Sequence, residues 1–359
     1  MEPWCDGNDP TPYARAYITG NVSGHGAAYT DYLNELGTDD FLLATGGVMV
    51  YKRPRHRRYG AALLSQIADR GAVEDARGQV RPLLRGPSKG VMSAMRILAI
   101  SDLHSDFREN KLLLEQLPDV TYQRDILIAA GDISDRLDTL KSTLGLLRAK
   151  FMKVFYVPGN HELWVRKEGN TSVEKFFTVL ALCETLDIQT SPENVDGVWI
   201  VPLFSWYEPQ FDADNSGDAD ALGGWADFYL CKWPPGMEQV CDFFLKMNEP
   251  RLRSYDGPVI SFSHFLPRRD LLPSTERLKF KGLPKVAGCA ALDDQIRSLK
   301  SCVHVFGHSH ISCDRVIDGV RYIQNPLRYP RERTSADFPI KIITDGASLM
   351  PSPSGGGAR

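Results

Sequence analysis

The chain has 359 residues, 43% hydrophobic and 24% charged, with a formal net charge of −3. That is enough chain to bury a sizeable core in one large domain or two, and the lack of a basic excess points away from nucleic acid and membrane surfaces as partners. The seven cysteines are odd in number and include no C-x-x-C, which reads as free thiols in a reducing compartment.

Residues 1–94 differ in texture from the rest of the chain. The start, MEPWCDGNDP, carries neither the basic nor the apolar segment of a secretory signal. A cytoplasmic location is the expectation, with organellar targeting left open. FLLATGGVMVY (41–51) reads as two short strands about a Gly-Gly turn, KRPRHRR (52–58) as a solvated basic surface, and AALLSQIADR (61–70) as a short helix. His25 and His56 have no neighbouring ligand, and no motif appears here. The segment is expected to be an N-terminal extension, in part disordered.

From residue 95 the pattern is strand–helix alternation. MRILAIS (95–101), DILIAAGD (125–132) and KVFYVPGNHE (153–162) are apolar strands ending in polar loops. RENKLLLEQLPD (108–119), DTLKSTLGLLRAKF (138–151) and SVEKFFTVLALCETLD (172–187) read as the helices between and after them. This is the signature of an α/β core, whose ligands gather beyond the carboxyl ends of the strands. Later strands come without long intervening helices, at 197–206, 257–264, 302–310, 319–326 and 338–344, and predict a second sheet. An aromatic insertion at 207–256 contains Trp225, Phe228, Tyr229 and Trp233; it reads equally as a lid or as core packing. The tail 346–359 is too poor in apolar side chains to order itself.

The polar residues at the strand ends form one set: Asp102, His104, Asp132, Asn160, His161, His264, His308 and His310. Any one of these histidines is unremarkable alone, but five of the chain's eight follow directly on apolar strands. Imidazole with carboxylate suits Zn, Fe or Mn, and the absence of Cys from the set disfavours a closed structural zinc site. Seven donors exceed the needs of one ion but fit two that share a carboxylate. Two such metals clamp a phosphoryl group, and a histidine outside their coordination can protonate the leaving oxygen. His304, inside a strand, reads as packing.

The ordered series D-L-H, G-D, G-N-H-E, H, G-H-S-H over residues 95–345 resembles the calcineurin-like metallophosphoesterase superfamily, in its small plant and algal form. The resemblance implies an α/β (α+β) fold: a four-layer αββα sandwich of two mixed sheets, with a dinuclear metal site at the strand ends. It implies two divalent or trivalent ions (Mn, Fe or Zn), one held by Asp102, His104, Asp132 and His310. The other is held by Asp132, Asn160, His264 and His308, with Asp132 bridging. His161 becomes the acid, and Asp135, three residues after the bridging position, orients it as in the protein phosphatase branch. The chain departs from that branch in beginning SDLHSD and in lacking its long middle region.

The expected activity is cleavage of a phosphomonoester or phosphodiester by a metal-bound hydroxide, on a small-molecule or nucleotide substrate. A non-catalytic interaction scaffold of the same fold is the rival, and a nuclease a third reading. Arg268, Arg269, Arg328, Arg331 and Arg333 are phosphate-binding candidates that also read as ordinary surface charge.

Overall fold

The computed structural model describes residues 72–74, 80–82, 95–166, 170–333 and 340–344. The expected hairpin at 41–51, basic run at 52–58, helix at 61–70 and tail at 346–359 lie outside them. The chain divides into two compact units, Gly46–Ala94 and Met1–Thr45 with Met95–Arg359. Within the first, β1 (Ala72–Glu74) pairs antiparallel with β2 (Val80–Pro82).

The second unit is built on two mixed sheets. The four-stranded sheet holds β3 (Ile97–Ile100), β4 (Ile126–Ala129) and β5 (Lys153–Tyr156) in parallel, with β12 (Lys341–Thr344) antiparallel on the edge beside β3. The six-stranded sheet runs β10-β11-β9-β8-β7-β6. Its inner members β7 (Val198–Pro202), β8 (Val259–Phe262), β9 (Ser301–Phe306) and β11 (Val320–Gln324) are parallel. Its edges β6 (Glu193–Val195) and β10 (Cys313–Ile317) are antiparallel.

Alternation along the strands sorts the core into layers. Ile97, Ala99, Ile126 and Ile128 face Ile200, Ile260, Val303 and Val305 across the sheet–sheet interface. Leu98, Ile100, Leu127 and Val154 point the other way, onto helices α1 (Arg108–Glu115) and α2 (Leu137–Lys150) through Leu114, Leu140, Leu144 and Leu147. On the outer face of the larger sheet, Val259, Phe306 and Tyr322 pack on Leu292 and Ile296, which lie in the helix Ala291–Ser298. Each such large apolar side chain, once fully buried, contributes about 1.5–3 kcal/mol. The four-layer αββα sandwich expected from the sequence is therefore present.

Helix α3 (Ser172–Thr185) starts with a capping box. The Glu174 N–H donates to Thr171 Oγ1 at 3.2 Å and the Thr171 N–H to Glu174 Oε2 at 2.7 Å, an arrangement worth about 1 kcal/mol. Its first residue, Ser172, donates to the Leu163 carbonyl at 2.8 Å and accepts from the Lys232 N–H at 2.8 Å. The helix start thus braces the turn carrying His161 and ties it to the aromatic insertion. Among the described residues the remaining α-helices are α4 (Asp227–Leu230), α5 (Val240–Met247) and α6 (Ala291–Ser298).

Candidate metal centre

Parallel strands end on one edge, so the loops after β3, β4, β5, β8 and β9 converge. The two sheets are also tied together there. The Ser101 N–H donates to the Asn325 carbonyl at 3.0 Å and the Leu327 N–H to the Ser101 carbonyl at 2.9 Å, while within the larger sheet the Gly307 N–H donates to the His264 carbonyl at 2.8 Å.

Five of the expected ligands have left-handed backbone: Asp102 (φ 52°), His104 (41°), Asp132 (56°), His308 (71°) and His310 (56°). This conformation is costly for non-glycine residues, and it gathers at functional sites. Neighbouring loops hold it in place. The Asp102 N–H donates to the Gly131 carbonyl at 3.0 Å and the His104 N–H to the Asp132 carbonyl at 2.8 Å. The His308 N–H donates to Asp102 Oδ1 at 2.7 Å. Beneath them the buried Glu162 carboxylate accepts four backbone N–H bonds, from Asp132, Ile133, Ser134 and Gly159, at 2.6 to 3.0 Å. Burial pushes its pKa up, and those four bonds oppose the shift.

Hydrogen bonds on the outer ring nitrogens of His264, His308 and His310 leave the other nitrogen of each pointing inward. His264 Nδ1 is 2.8 Å from the Ala130 carbonyl, so that nitrogen carries the proton and Nε2 is a lone pair. That lone pair faces Asn160 Oδ1 at 3.2 Å and Asp132 Oδ2 at 3.5 Å. His308 Nε2 donates to the Val286 carbonyl at 2.9 Å, leaving Nδ1 facing the same Asn160 oxygen at 3.1 Å. His310 Nδ1 is 2.7 Å from Glu332 Oε2, leaving Nε2 facing His104 Nε2 at 2.9 Å and Asp102 Oδ1 at 3.6 Å. Acceptors facing acceptors in a buried site repel unless a cation lies between them. The donors fall into two sets that could each hold an ion: Asp102, His104, Asp132 and His310, and Asp132, His264 and His308. Asn160 Oδ1 adds to the second.

The electrostatics agree. Burial, reinforced by Glu162 and Asp102, raises the Asp132 pKa well above the carboxylate range. Burial holds His104, His161 and His308 well below ordinary imidazole and lowers His264 too. For His310 burial works downward, but Asp102 and Glu332 outweigh it and the pKa rises. The lowered proton affinities of His104, His264 and His308 suit ligands that must bind a metal as neutral imidazoles.

His161 lies against both sets without joining either. Its Nε2 is 3.8 Å from Asp132 Oδ2 and 3.3 Å from the Tyr329 hydroxyl, and its ring packs on Trp164 with centroids 3.7 Å apart. Asp135 makes no hydrogen bond to it among the described residues. The Asp135 carboxylate pairs with Arg166, and its carbonyl accepts from Lys175 Nζ at 2.6 Å. The described contacts of the His161 ring are instead with Tyr329 and Trp164. Tyr329 also stacks on His104 at 4.2 Å.

The arginine candidates separate. Arg268 is taken up by Asp270, Asp293 and Asp318, Arg269 by Ser216, Thr275 and the Pro273 carbonyl, and Arg333 by Asn110. Of these five candidates Arg328 and Arg331 line the cavity at the centre, Arg328 being held there by the His310 carbonyl and Ser312 Oγ at 2.8 and 2.7 Å. The aromatic insertion divides as well. Trp233 packs against Trp206 in the core, whereas Trp225 lines the cavity, stacked on Phe280 at 5.4 Å. His304 is buried between the Ser261 and Ser263 hydroxyls, as packing.

Three contributors are not among the motif residues. The buried Asp227 carboxylate accepts from Asn160 Nδ2 at 2.9 Å, Trp164 Nε1 at 2.6 Å and Trp225 Nε1 at 2.9 Å. It therefore fixes which way the Asn160 amide points. Glu332 does the same for His310, and Tyr329 contacts His161. Asp227 has no motif around it, while Tyr329 and Glu332 stand in RYPRER, where only the arginines drew attention.

A pair of buried N/O donor sets at the carboxyl edge of two sandwiched sheets defines a metal-dependent phosphoesterase. The chain belongs to the calcineurin-like phosphoesterases, whose family model matches residues 95–312; members bind a dinuclear metal centre. It is 30% identical over 261 residues to the [acyl-carrier-protein] phosphodiesterase PptH of Mycobacterium tuberculosis (strain ATCC 25618 / H37Rv), across 65% of this chain and 78% of that protein. The crystal structure of that phosphopantetheinyl hydrolase superposes with a TM-score of 0.60 and 25% identity, over 73% of this chain and 100% of the other.

Proposed function

We propose that the chain is a phosphodiesterase that removes the phosphopantetheine arm from a carrier protein. The observation that carries this reading is the room on both sides of the centre. A cavity of about 560 Å³ runs past Trp225, Leu278, Phe280 and Leu283 to Asn160 and His308. A groove of about 970 Å³ runs past Phe107, Arg108, Lys111 and Arg136 to His104. Both share His161, Tyr329 and Arg331 as wall. A monoester has one ester arm to house; a diester has two. The partly apolar cavity suits a long neutral arm, and the wider groove suits the protein carrying it. The activity of the related PptH supports the same choice.

Asp102, His104, Asp132 and His310 would hold one ion, and Asp132, Asn160, His264 and His308 the other. Their nitrogen and oxygen donors suit Mn, Fe or Zn. When bound, such ions supply Lewis acidity toward the phosphoryl oxygens and activate water near neutral pH. Asn160, its amide fixed by Asp227, keeps its oxygen in the second set. Arg328 and Arg331 draw the phosphoryl anion to the wall. Burial holds the proton affinity of His161 well below that of an ordinary imidazole, and an entering phosphoryl anion opposes that shift. His161 Nε2, at the edge of both donor sets, is the group placed to give a proton to the leaving oxygen. A full donor set with the acid in place argues against the scaffold reading. The described cysteines are free thiols, which supports a reducing, cytoplasmic setting.

The test is incubation of metal-loaded protein with a phosphopantetheine-bearing carrier protein, bis-p-nitrophenyl phosphate and p-nitrophenyl phosphate. Release of the arm, followed by intact-protein mass, is expected, together with preference for the bis ester. Cleavage of the monoester alone would overturn the diesterase reading. Cleavage of the bis ester without release of the arm would overturn the carrier protein as substrate.

A further inference from the structure

A second donor cluster lies apart from the phosphoesterase centre. Glu208 follows β7, Cys241 is the second residue of α5, and Cys289 stands just before α6. One carboxylate oxygen and the two Sγ atoms lie within 4.8 Å of one another. Both cysteines are buried, at 3% and 1% exposure. Two of the three segments are also joined through backbone: the Glu208 N–H donates to the Gly288 carbonyl at 3.0 Å, and the Cys289 N–H is itself held by the Leu266 carbonyl at 3.1 Å. A groove of about 360 Å³, lined by Trp206, Glu208, Met237, Gln239 and Cys241, opens onto the cluster.

We infer that Glu208, Cys241 and Cys289 form a separate site for a borderline-soft metal ion, Zn²⁺ first among them. Among the described residues no Lys, Arg or His forms an ion pair with the Glu208 carboxylate, although it stands over two buried thiols. A cation bound by two thiolates and this carboxylate supplies the missing positive charge. Each thiol gives up its proton to solvent as the ion binds. Two sulfurs and one oxygen match zinc chemistry, with the fourth position facing the groove and open to water. Thiolates select against Mn²⁺ and Mg²⁺, so this site differs in chemistry from the N/O centre. It pins the loop carrying Tyr207 to the starts of α5 and α6.

Cobalt substitution of the full chain tests this, because thiolate-to-Co²⁺ charge transfer absorbs strongly and an N/O centre has no such band. With all thiols reduced, titration should show a thiolate band that saturates at one Co²⁺ per chain, beyond the ions of the phosphoesterase centre. Cys241→Ser and Cys289→Ser should each lose that band and one metal equivalent while hydrolysis of the bis ester continues. Glu208→Gln keeps both thiols, so it should keep the band but weaken binding on the order of tenfold or more. Absence of the band in folded, fully reduced protein would overturn the inference. So would a band unchanged in the cysteine variants, or a Cys241–Cys289 disulfide, found by mass, as the form that persists under reducing conditions.

Discussion

At the scale of single residues the centre depends on which atom carries a proton and which does not. Asp132 stands in both donor sets. Asp132→Asn removes the one shared anion, and its amide brings protons toward the facing lone pair of His264. The expected outcome is loss of both ions and of turnover. Elemental analysis finding one ion still tightly held would show that the sets are independent. His161 belongs to neither set, so His161→Ala should retain both ions. Turnover should fall about 10²–10⁴-fold for poor leaving groups and less for activated aryl esters. A uniform loss across a leaving-group series would deny it the acid role. Asp135 provides the contrast. Since its carboxylate is engaged by Arg166 and not by His161, Asp135→Asn should leave the leaving-group dependence unchanged, measured on the same series. Of these roles, the side chains that orient the ligands were hidden from the sequence. Glu332 reaches His310 from 22 positions away and Asp227 reaches Asn160 from 67. Contacts of that kind are created by folding and leave no local spacing to read.

At the scale of elements, the strand ends were legible because β3, β4, β8 and β9 are buried on both faces. They appear as continuous apolar runs, and the switch to polar residues marks where each run leaves the sheet. For the same reason the sequence did not say which strand residues face the partner sheet: Ile97 and Leu98 are equally apolar, and only the layers separate them. The helix after β3 ends at Glu115, four residues short of the expected 119, because Pro118 cannot extend it. The left-handed backbone at five site residues was likewise invisible, since no glycine or asparagine announces it. Gly159, in the turn after β5, shows how closely these turns pack. A methyl group there would strike the Asp132 carboxylate and come within 2.7 Å of the His264 ring. Its backbone is not left-handed, so alanine is compatible with the local conformation. By reducing the freedom of the unfolded chain, alanine would add about 0.4–1 kcal/mol if nothing stood in the way. Gly159→Ala is therefore expected to fold and to lose ions, read by circular dichroism and metal content. A variant that keeps both ions would mean that Asp132 and His264 can move apart without cost.

At the scale of the whole molecule, the donors come from both sheets, so no smaller part of the αββα sandwich contains a complete centre. Its first strand nevertheless starts close to Met95. The Arg96 N–H and Nε both donate to Asp125 Oδ1, at 3.2 and 3.1 Å, fixing the entry of β3 beside β4 with partners that lie after residue 95. All of the site residues also lie beyond that point, from Asp102 to Glu332. A chain starting at Met95 is accordingly expected to fold, bind two ions at the centre and hydrolyse bis-p-nitrophenyl phosphate at close to the full-length rate. The basic run at 52–58 allows one difference. A basic run near a site helps collect an anionic substrate, so a modest rise in KM that shrinks as salt is added is compatible with that outcome. Steady-state kinetics at two ionic strengths separate that effect from damage to the centre, which would lower kcat at both. Insoluble or ion-free truncated protein would place part of the first 94 residues inside the folded core and move the domain boundary toward the start of the chain.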